Sequence, residues 1–358
     1  MLAEIDRLSI TLLMDNYTDR LLPPSYPAVR PPMIKDEQFL PPPVAEHGFS
    51  ALIRATCCGK SKEEGEGGEG GEGDKSKTCK ESTVLFDCGT SENGVVHNAD
   101  ILGIDFNSID HIVLSHGHFD HFTGLPKILE RIDKPIRMVC HPDAFLRRWL
   151  VLPNGKGKAK MPFLDKDELQ RQGAIITAKK GPSVVSEGKV EEYQHQDPLN
   201  NSTKTPTPKL LVTGQIPRHT PYEKGFPLQY REDLNKGNLI HDPLVNDDQA
   251  IVANIGKRGL VVISGCAHAG IVNTIDYAKR LTGISKIFAI VGGFHLTGGG
   301  IYEEAIEPTI AELKKMDPGY LVPCHCTGWK ATSRIIQELA EKFLQPTACT
   351  TFTFDSNT

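Results

Sequence analysis

The sequence predicts an α/β architecture: two mixed β-sheets packed face to face with helices on the outer faces, an αββα sandwich. Three observations predict it. Apolar runs of strand length alternate with amphipathic helical stretches along most of the 358 residues. The alternation occurs twice, in an early and a late half, so each half supplies a sheet. Strands from both halves end in short segments rich in His, Cys and Asp, which sets polar side chains along one edge of the sandwich.

In the early half, Ser9 to Met14 and Gly48 to Ala55 read as strands, and Thr83 to Asp87 as a third ahead of a helix around Val95 to Leu102. Asp110 to Ser115 is a strand, Leu125 to Ile132 a helix with Pro126 in its tolerant first turn, and Ile136 to Cys140 a returning strand. In the late half, Lys209 to Thr213, Gln249 to Asn254 and Leu260 to Ser264 read as strands, the last two joined by a turn at Gly256-Lys257-Arg258-Gly259. Then follow helix Ile271 to Leu281, strand Lys286 to Val291, helix Glu303 to Met316, strand Tyr320 to Pro323 and helix Thr327 to Phe343.

Two stretches fall outside this scheme. Residues 23–43 hold eight prolines and predict an extended arm or lid wrapped on the body. Glu63 to Asp74 contains only Glu, Asp and Gly, so it buries no apolar area against its ordering entropy; a disordered insertion over about residues 60–81 is expected. Its Gly65-x-Gly67-x-x-Gly70 spells a dinucleotide fingerprint, but acidic neighbours would repel a pyrophosphate and no strand–helix frame surrounds it.

With 39% hydrophobic and 24% charged residues the chain is ordinary for a globular protein, and the spread of motifs favours one domain over residues 1–358. A net charge of −5 without a basic stripe argues against general nucleic-acid or anionic-membrane partners. No apolar run approaches membrane-span length, and Glu4, Asp6 and Arg7 interrupt the N-terminus where a signal peptide would be apolar. Nine irregularly spaced cysteines do not read as a secreted disulfide framework, so a cytoplasmic location is expected. Self-association is left open.

The most informative segment is His116-Gly117-His118-Phe119-Asp120-His121, directly after the apolar Ile112-Val113-Leu114-Ser115. His116, His118 and Asp120 share a face if extended, and His121 follows from a turn. His116 with His118 suits one ion, and Asp120 with His121 a second, at the roughly 3.5–4 Å spacing of two-metal sites. Imidazole and carboxylate donors favour Zn2+, with Fe or Mn as alternatives. A purely structural cluster of this kind, buried without a cation, would be costly.

His-x-His-x-Asp-His after an apolar strand, followed by Thr123-Gly124-Leu125, resembles the signature of the metallo-β-lactamase superfamily. The stretches Glu46-His47-Gly48-Phe49-Ser50, Leu85-Phe86-Asp87-Cys88-Gly89, Ile216-Pro217-Arg218-His219-Thr220, Ser264-Gly265-Cys266-Ala267-His268-Ala269-Gly270, Gly292-Gly293-Phe294-His295-Leu296 and Pro323-Cys324-His325-Cys326-Thr327-Gly328 narrow it. Together they resemble the branch named after the archaeal 7,8-dihydropterin-6-methyl-4-(β-D-ribofuranosyl)aminobenzene-5′-phosphate synthase. The resemblance spans nearly the whole chain and implies the same sandwich with its ligands on edge loops.

It also implies further ligands. Cys266 and His268 stand where the superfamily commonly has a bridging Asp, a residue type absent here. His268 is the preferred ligand and Cys266 the alternative, as a bridging thiolate. His325 matches the superfamily's last histidine. Cys324 and Cys326 flank it and would point away along an extended segment, so no separate Cys-rich zinc site is expected. His295 is either a ligand or a substrate contact. His219 occupies the region of a third superfamily histidine, although this branch's pattern there centres on Pro217-Arg218. Asp87 is expected to orient a metal-bound imidazole. His47, His97, His111, His141, His195 and His241 read singly as surface or capping residues.

The chemistry expected is that of a dinuclear metallo-hydrolase, in which a metal-bound hydroxide attacks a small ester, lactone, lactam or phosphoester, with Asp120 or a site histidine such as His295 moving the proton. No Gly-x-Ser-x-Gly elbow or Walker loop competes. The branch resemblance implies instead a synthase that joins a dihydropterin diphosphate to a ribofuranosyl aminobenzene phosphate and releases pyrophosphate, with Arg218 and Lys224 on phosphate. A non-catalytic or redox di-metal module is a third reading, though oxygen-reducing relatives carry a flavin domain that is not visible here.

Overall fold

The computed structural model describes residues 2–58, 79–153, 156–186, 189–193 and 209–357. Alternation and β-branched content build an eight-stranded sheet in the order Ala174–Ala178, Ile136–Cys140, His111–Val113, Cys79–Phe86, Ser50–Cys58, Arg7–Met14, Thr351–Asp355 and Ala28–Val29. A seven-stranded sheet runs Lys189–Glu192, Ser183–Ser186, Leu210–Val212, Ala250–Asn254, Leu260–Ser264, Ile287–Gly293 and Tyr320–Cys324. Both sheets mix parallel and antiparallel pairs, as the αββα reading requires.

Leu8, Ile10, Leu12, Ile53, Phe86 and Val113 of the first sheet meet Val212, Ile251, Val261, Ile263, Val291 and Val322 of the second in one buried cluster. Each such side chain contributes about 1.5–3 kcal/mol by leaving water. Two further clusters seat the helices Gly94–Ile101 and Leu125–Leu129 on one outer face, and Ile271–Thr282, Ile306–Met316 and Trp329–Leu339 on the other. The last of these clusters also takes in Ala267, Phe294 and Leu296 from the edge loops, while the His, Asp and Cys266 side chains of those loops stay outside all three.

Several elements differ from expectation for identifiable reasons. The helix expected over Glu303 to Met316 breaks into Ile301–Glu304 and Ile306–Met316. Pro308 lacks an N–H and its ring conflicts with the carbonyl four residues back, which stops one helix running through. The helix expected from Thr327 begins at Trp329, because His325–Thr327 forms a separate 3-10 turn and Gly328 follows at φ 77°. A Cβ at Gly328 would collide with Thr297. Thr351–Asp355, unassigned from sequence, pairs with Arg7–Met14. A small sheet of Lys158–Lys160, Arg148–Val151, Gln229–Glu232 and Leu239–His241 was likewise unread.

The Pro-rich segment is extended and carries only two-residue strands, Ala28–Val29, Ile34–Lys35 and Gln38–Phe39. Arg20 ties it to itself through the carbonyls of Met33 and Leu40. Glu63 to Asp74 lies outside the described residues. The expected insertion reached residue 81, but Cys79 already opens a strand, and Cys79 is disulfide-bonded to its cross-strand partner Cys58. Among the described residues no helix is long and apolar enough to cross a membrane.

Candidate metal centre

Strand His111–Val113 ends between its neighbours, and the chain then turns inward at Ser115. Asp87, at the end of the adjacent strand, takes the Ser115 N–H at 2.7 Å and the Ser115 hydroxyl at 2.6 Å. Its Oδ2 also lies 2.7 Å from His121 Nδ1, the orienting role expected of it. Gly117 is required between the first two histidines, since a Cβ there would strike the Ala144 carbonyl. Its N–H donates to Asp247 Oδ2 at 2.7 Å, and Asp247 is paired with fully buried Arg148 at 2.6 Å. His118–Asp120 then closes into the 3-10 turn Phe119–His121 that presents His121.

Three imidazole nitrogens converge here. His116 Nε2 is 2.9 Å from His118 Nδ1, which is 3.0 Å from His268 Nε2. Gln229 Oε1 accepts from His118 Nε2 at 2.5 Å, so the proton sits there and the Nδ1 lone pair faces inward. All three rings are buried. Burial pushes the pKa of His116 and His268 well down and that of His118 down to about 4, so imidazolium does not form to relieve the facing lone pairs. A divalent cation would.

The second group faces the first. His325 Nε2 is 3.2 Å and His121 Nε2 3.7 Å from Asp120 Oδ2. Against the cost of burial, the charges of Asp120 and Asp87 hold His121 up at about 9, and burial of Asp120 is outweighed by His121 and His325, which hold its carboxyl well below the ordinary range. His325 is placed by its N–H to Asp15 Oδ1 at 2.7 Å and by Asn16 Oδ1, 3.0 Å from its Nδ1.

Cys266 joins the two groups. The donor atoms of Asp120, His121, Cys266 and His325 all lie within 4.8 Å of one another, as do those of His116, Cys266 and His268. Its Sγ is 3.1 Å from His121 Nε2. The structure therefore brings together His116, His118, Asp120, His121, His268 and His325, and adds Cys266, where the sequence posed Cys266 and His268 as alternatives. Imidazole, carboxylate and thiolate donors fit a divalent transition ion.

His295 packs beside the six, with its ring centroid 4.0 Å from that of His268 and its imidazole against Cys326. His219 points elsewhere, its Nε2 3.0 Å from Asp276. Arg218 is spent on backbone, donating to the carbonyls of His268 at 2.7 Å and of Leu244. Lys224 lies on the exposed rim of a narrow cleft that runs past His268, His295, Tyr222 and Tyr302.

Sequence reasoning missed several contributors, among them Asp15 and Asn16. Gln229 and the Arg148–Asp247 pair come from regions without a motif. His47, read as a surface residue, reaches within 3.6 Å of Asp120 Oδ2; its place in Glu46-His47-Gly48-Phe49-Ser50 was the available signal. Cys326 was expected to point away from the centre, yet His325 at φ 46° and the following 3-10 turn curl it back to Cys266, with its Sγ 3.4 Å from the Cys266 carbonyl oxygen. Of the remaining histidines, His141 caps, its Nδ1 accepting from Asp143 N–H at 3.1 Å, whereas His111 is neither surface nor cap: it is buried in its strand with Nε2 2.6 Å from the Ser186 carbonyl oxygen. His195 lies outside the described residues.

Residues 80–195 match the family model of the metallo-β-lactamase superfamily. The chain is 30% identical to the 7,8-dihydropterin-6-methyl-4-(β-D-ribofuranosyl)-aminobenzene-5′-phosphate synthase of Methanocaldococcus jannaschii over 301 residues, 84% of this chain and 87% of that one. An uncharacterized protein of the same archaeon is 28% identical over 82% of this chain and 88% of its own. Among solved structures, Tm1679, a metal-dependent hydrolase of the β-lactamase superfamily, shares the fold at a TM-score of 0.63 and 21% identity, covering 97% of this chain and 98% of its own. The chain belongs to the metallo-β-lactamase superfamily, in the branch that includes the archaeal dihydropterin synthase.

Proposed function

We propose that the protein is a metal-dependent hydrolase of small esters, lactones, lactams or phosphoesters that works with two divalent ions, one held by His116, His118 and His268 and the other by Asp120, His121 and His325. The observation that carries this reading is the convergence of three buried, unprotonated imidazole nitrogens at 2.9 and 3.0 Å. When bound, such ions supply Lewis acidity toward a carbonyl or phosphoryl oxygen and acidify water at neutral pH.

The chain's own residues supply orientation and proton handling. Asp87 and Gln229 fix the tautomers of His121 and His118 by taking the proton on the far ring nitrogen. Asp120 Oδ2 lies between His121 and His325 with His47 beyond it at the open side, a path along which a proton passes from the site to an exposed imidazole. In the cleft the hydroxyls of Tyr222 and Tyr302 have no protein partner among the described residues, which leaves them to polar groups of a substrate.

A second reading has its own support. Identity of 30% over 84% of the chain favours a synthase-type transfer that releases pyrophosphate. Lys224 at the cleft rim is the cation available to a phosphate, because Arg218 is committed to two carbonyls. The discriminating experiment takes protein purified without added metal, measures its metal content, and assays it on lactones, lactams and phosphodiesters and, separately, on a dihydropterin diphosphate with a ribofuranosyl aminobenzene phosphate. Turnover of the first panel, lost in His118→Ala, supports the hydrolase. Pyrophosphate release in the second assay alone replaces it with the transferase.

A further inference from the structure

Three adjacent parallel strands, Leu260–Ser264, Ile287–Gly293 and Tyr320–Cys324, run in register, with Ser264 opposite Gly292 and Gly292 opposite Pro323. Each releases its chain into a loop that carries a soft or borderline donor: Cys266, His295 and Cys326. The loops are laced together by Gly293 N–H to the Gly265 carbonyl at 3.0 Å, Leu296 N–H to the Cys326 carbonyl at 3.1 Å and Phe294 N–H to Thr327 Oγ1 at 3.1 Å. Gly293 leaves room for the thiol, since a Cβ there would lie 2.7 Å from Cys326 Sγ.

The donor atoms of Cys266, His295 and Cys326 all lie within 4.8 Å of one another. Both sulfurs are buried, and the imidazole contacts Cys326 and has no other polar partner among the described residues. Ala267 and His295 hold left-handed backbone, at φ 56° and 48°, and so does His325, the neighbour of Cys326, at 46°. Non-glycine residues adopt that conformation at a cost, here in all three donor loops. Cys324, two residues away, turns into the core and bonds its own strand, so the inward aim of Cys326 is specific to that position.

We infer that Cys266, Cys326 and His295 form a third, thiophilic metal site abutting the histidine–carboxylate centre and sharing Cys266 with it. Two thiolates and an imidazole are a donor set for Zn2+, Cu+ or Cd2+, and three protein donors leave a fourth tetrahedral position open. The inference depends on the two-ion reading only through the shared cysteine. Occupancy forms metal–sulfur and metal–nitrogen bonds and displaces to solvent any proton the thiols still carry, with no change of oxidation state.

The test is stoichiometric. Metal-free, fully reduced protein is titrated with Cd2+ and, in parallel, Co2+, with bound metal counted after gel filtration and thiolate-to-cobalt charge transfer followed in the near ultraviolet. Wild type takes up three equivalents, the third adding a sulfur band. Cys326→Ala and His295→Ala each stop at two, with unchanged thermal melts, while the core variant Cys324→Ala keeps three. His295 is only half-buried, so His295→Ala reports even if Cys326→Ala misfolds. Saturation of wild type at two equivalents, or retention of the third in both site variants, overturns the inference. His118→Ala separates it from the neighbouring reading: that variant loses an imidazole-held ion but keeps the last sulfur band, whereas undiminished uptake would overturn the two-ion reading and leave the thiol site standing.

Discussion

The two sides of the candidate metal centre are built by different means. One side is a single loop, residues 116–121, in which four donors follow one strand and are clamped by Asp87, Ser115, Gln229 and the Arg148–Asp247 pair. The other side is assembled from the ends of three parallel strands, Leu260–Ser264, Ile287–Gly293 and Tyr320–Cys324, far apart in the chain: Cys266 and His268 follow the first, His295 the next, His325 and Cys326 the third. A contiguous loop encodes its ligands as spacing. Convergent strand ends encode theirs as sheet register, so the identity of each inward residue depends on a backbone turn of one or two residues.

The largest effect that tests this contrast is loss of one ligand from each side. His118→Ala and His325→Ala should each lose at least one equivalent of bound metal and nearly all turnover while the fold persists, because neither side chain belongs to the sandwich cores. Metal analysis with a thermal melt checks both. Unchanged metal in either variant would remove that side from the centre, and a melt well below that of metal-free wild type would make the histidine a structural residue.

The clamps should differ as well. Asp247→Ala leaves Arg148 buried and uncompensated and frees the Gly117 N–H, a loss of about 3–5 kcal/mol for a broken buried pair. Arg218→Met on the other side removes hydrogen bonds to two backbone carbonyls and the cation that faces Asp248 and Glu223 without a direct ion pair, about 1–3 kcal/mol. Denaturant midpoints measure both; equal losses would mean that the two sides are held with equal stringency.

Titration of the metal-free protein sharpens the picture. His116, His118 and His268 have pKa values lowered by burial, His118 to about 4, so their contribution is complete above the unfolded value of about 6.5 and is lost as pH falls below it. His121 is raised to about 9, so its contribution is complete below about 6.5 and is lost as pH rises through 9. Stability should therefore fall on both sides of a neutral maximum. His118→Ala should soften the acid limb and leave the alkaline one; a flat profile in wild type would contradict both directions.

Much of this was legible in the sequence, and what was not has specific causes. Local periodicity placed Ile136–Cys140 and Leu260–Ser264 to the residue. The same period-two logic should have caught Thr351–Asp355, whose burial alternates at every position and whose partner is the first long strand. Asp87 was legible because an acid at a strand end beside a histidine motif has few other uses. Cys326 was misread because alternation assumes extended backbone, and His325 is left-handed. Gln229 and Asp247 carry no local signal, since they reach the centre only through the small sheet and the contacts that fold around it.

Smaller still should be Gln229→Leu, which removes the acceptor that fixes the His118 tautomer and leaves the ligand itself, for a 10–100-fold loss of metal affinity. A competition titration against a chelator reads it, and Gln229→Glu, which keeps an acceptor, should recover most of the loss. An affinity unchanged in Gln229→Leu would mean that packing against Phe226 alone orients the His118 ring.

The smallest effect belongs to His219, the histidine that occupies the expected region without facing the centre. Its imidazole lies 3.0 Å from Asp276, with about half of the side chain exposed and a third of the aspartate's, so the pair is a surface contact of about 0–1 kcal/mol. His219→Ala should leave bound metal at the wild-type level and shift the melt by no more than that allows, because the backbone N–H groups of residues 219 and 220 stay on Asn273 Oδ1 at 2.9 and 3.1 Å and keep the loop in place. The comparison that gives this variant meaning is His268→Ala, which on the same reasoning loses an ion. If His219→Ala also lost one, the loop would swing its imidazole inward on metal binding, and the third nitrogen donor of the first ion would have to be reassigned from His268 to His219.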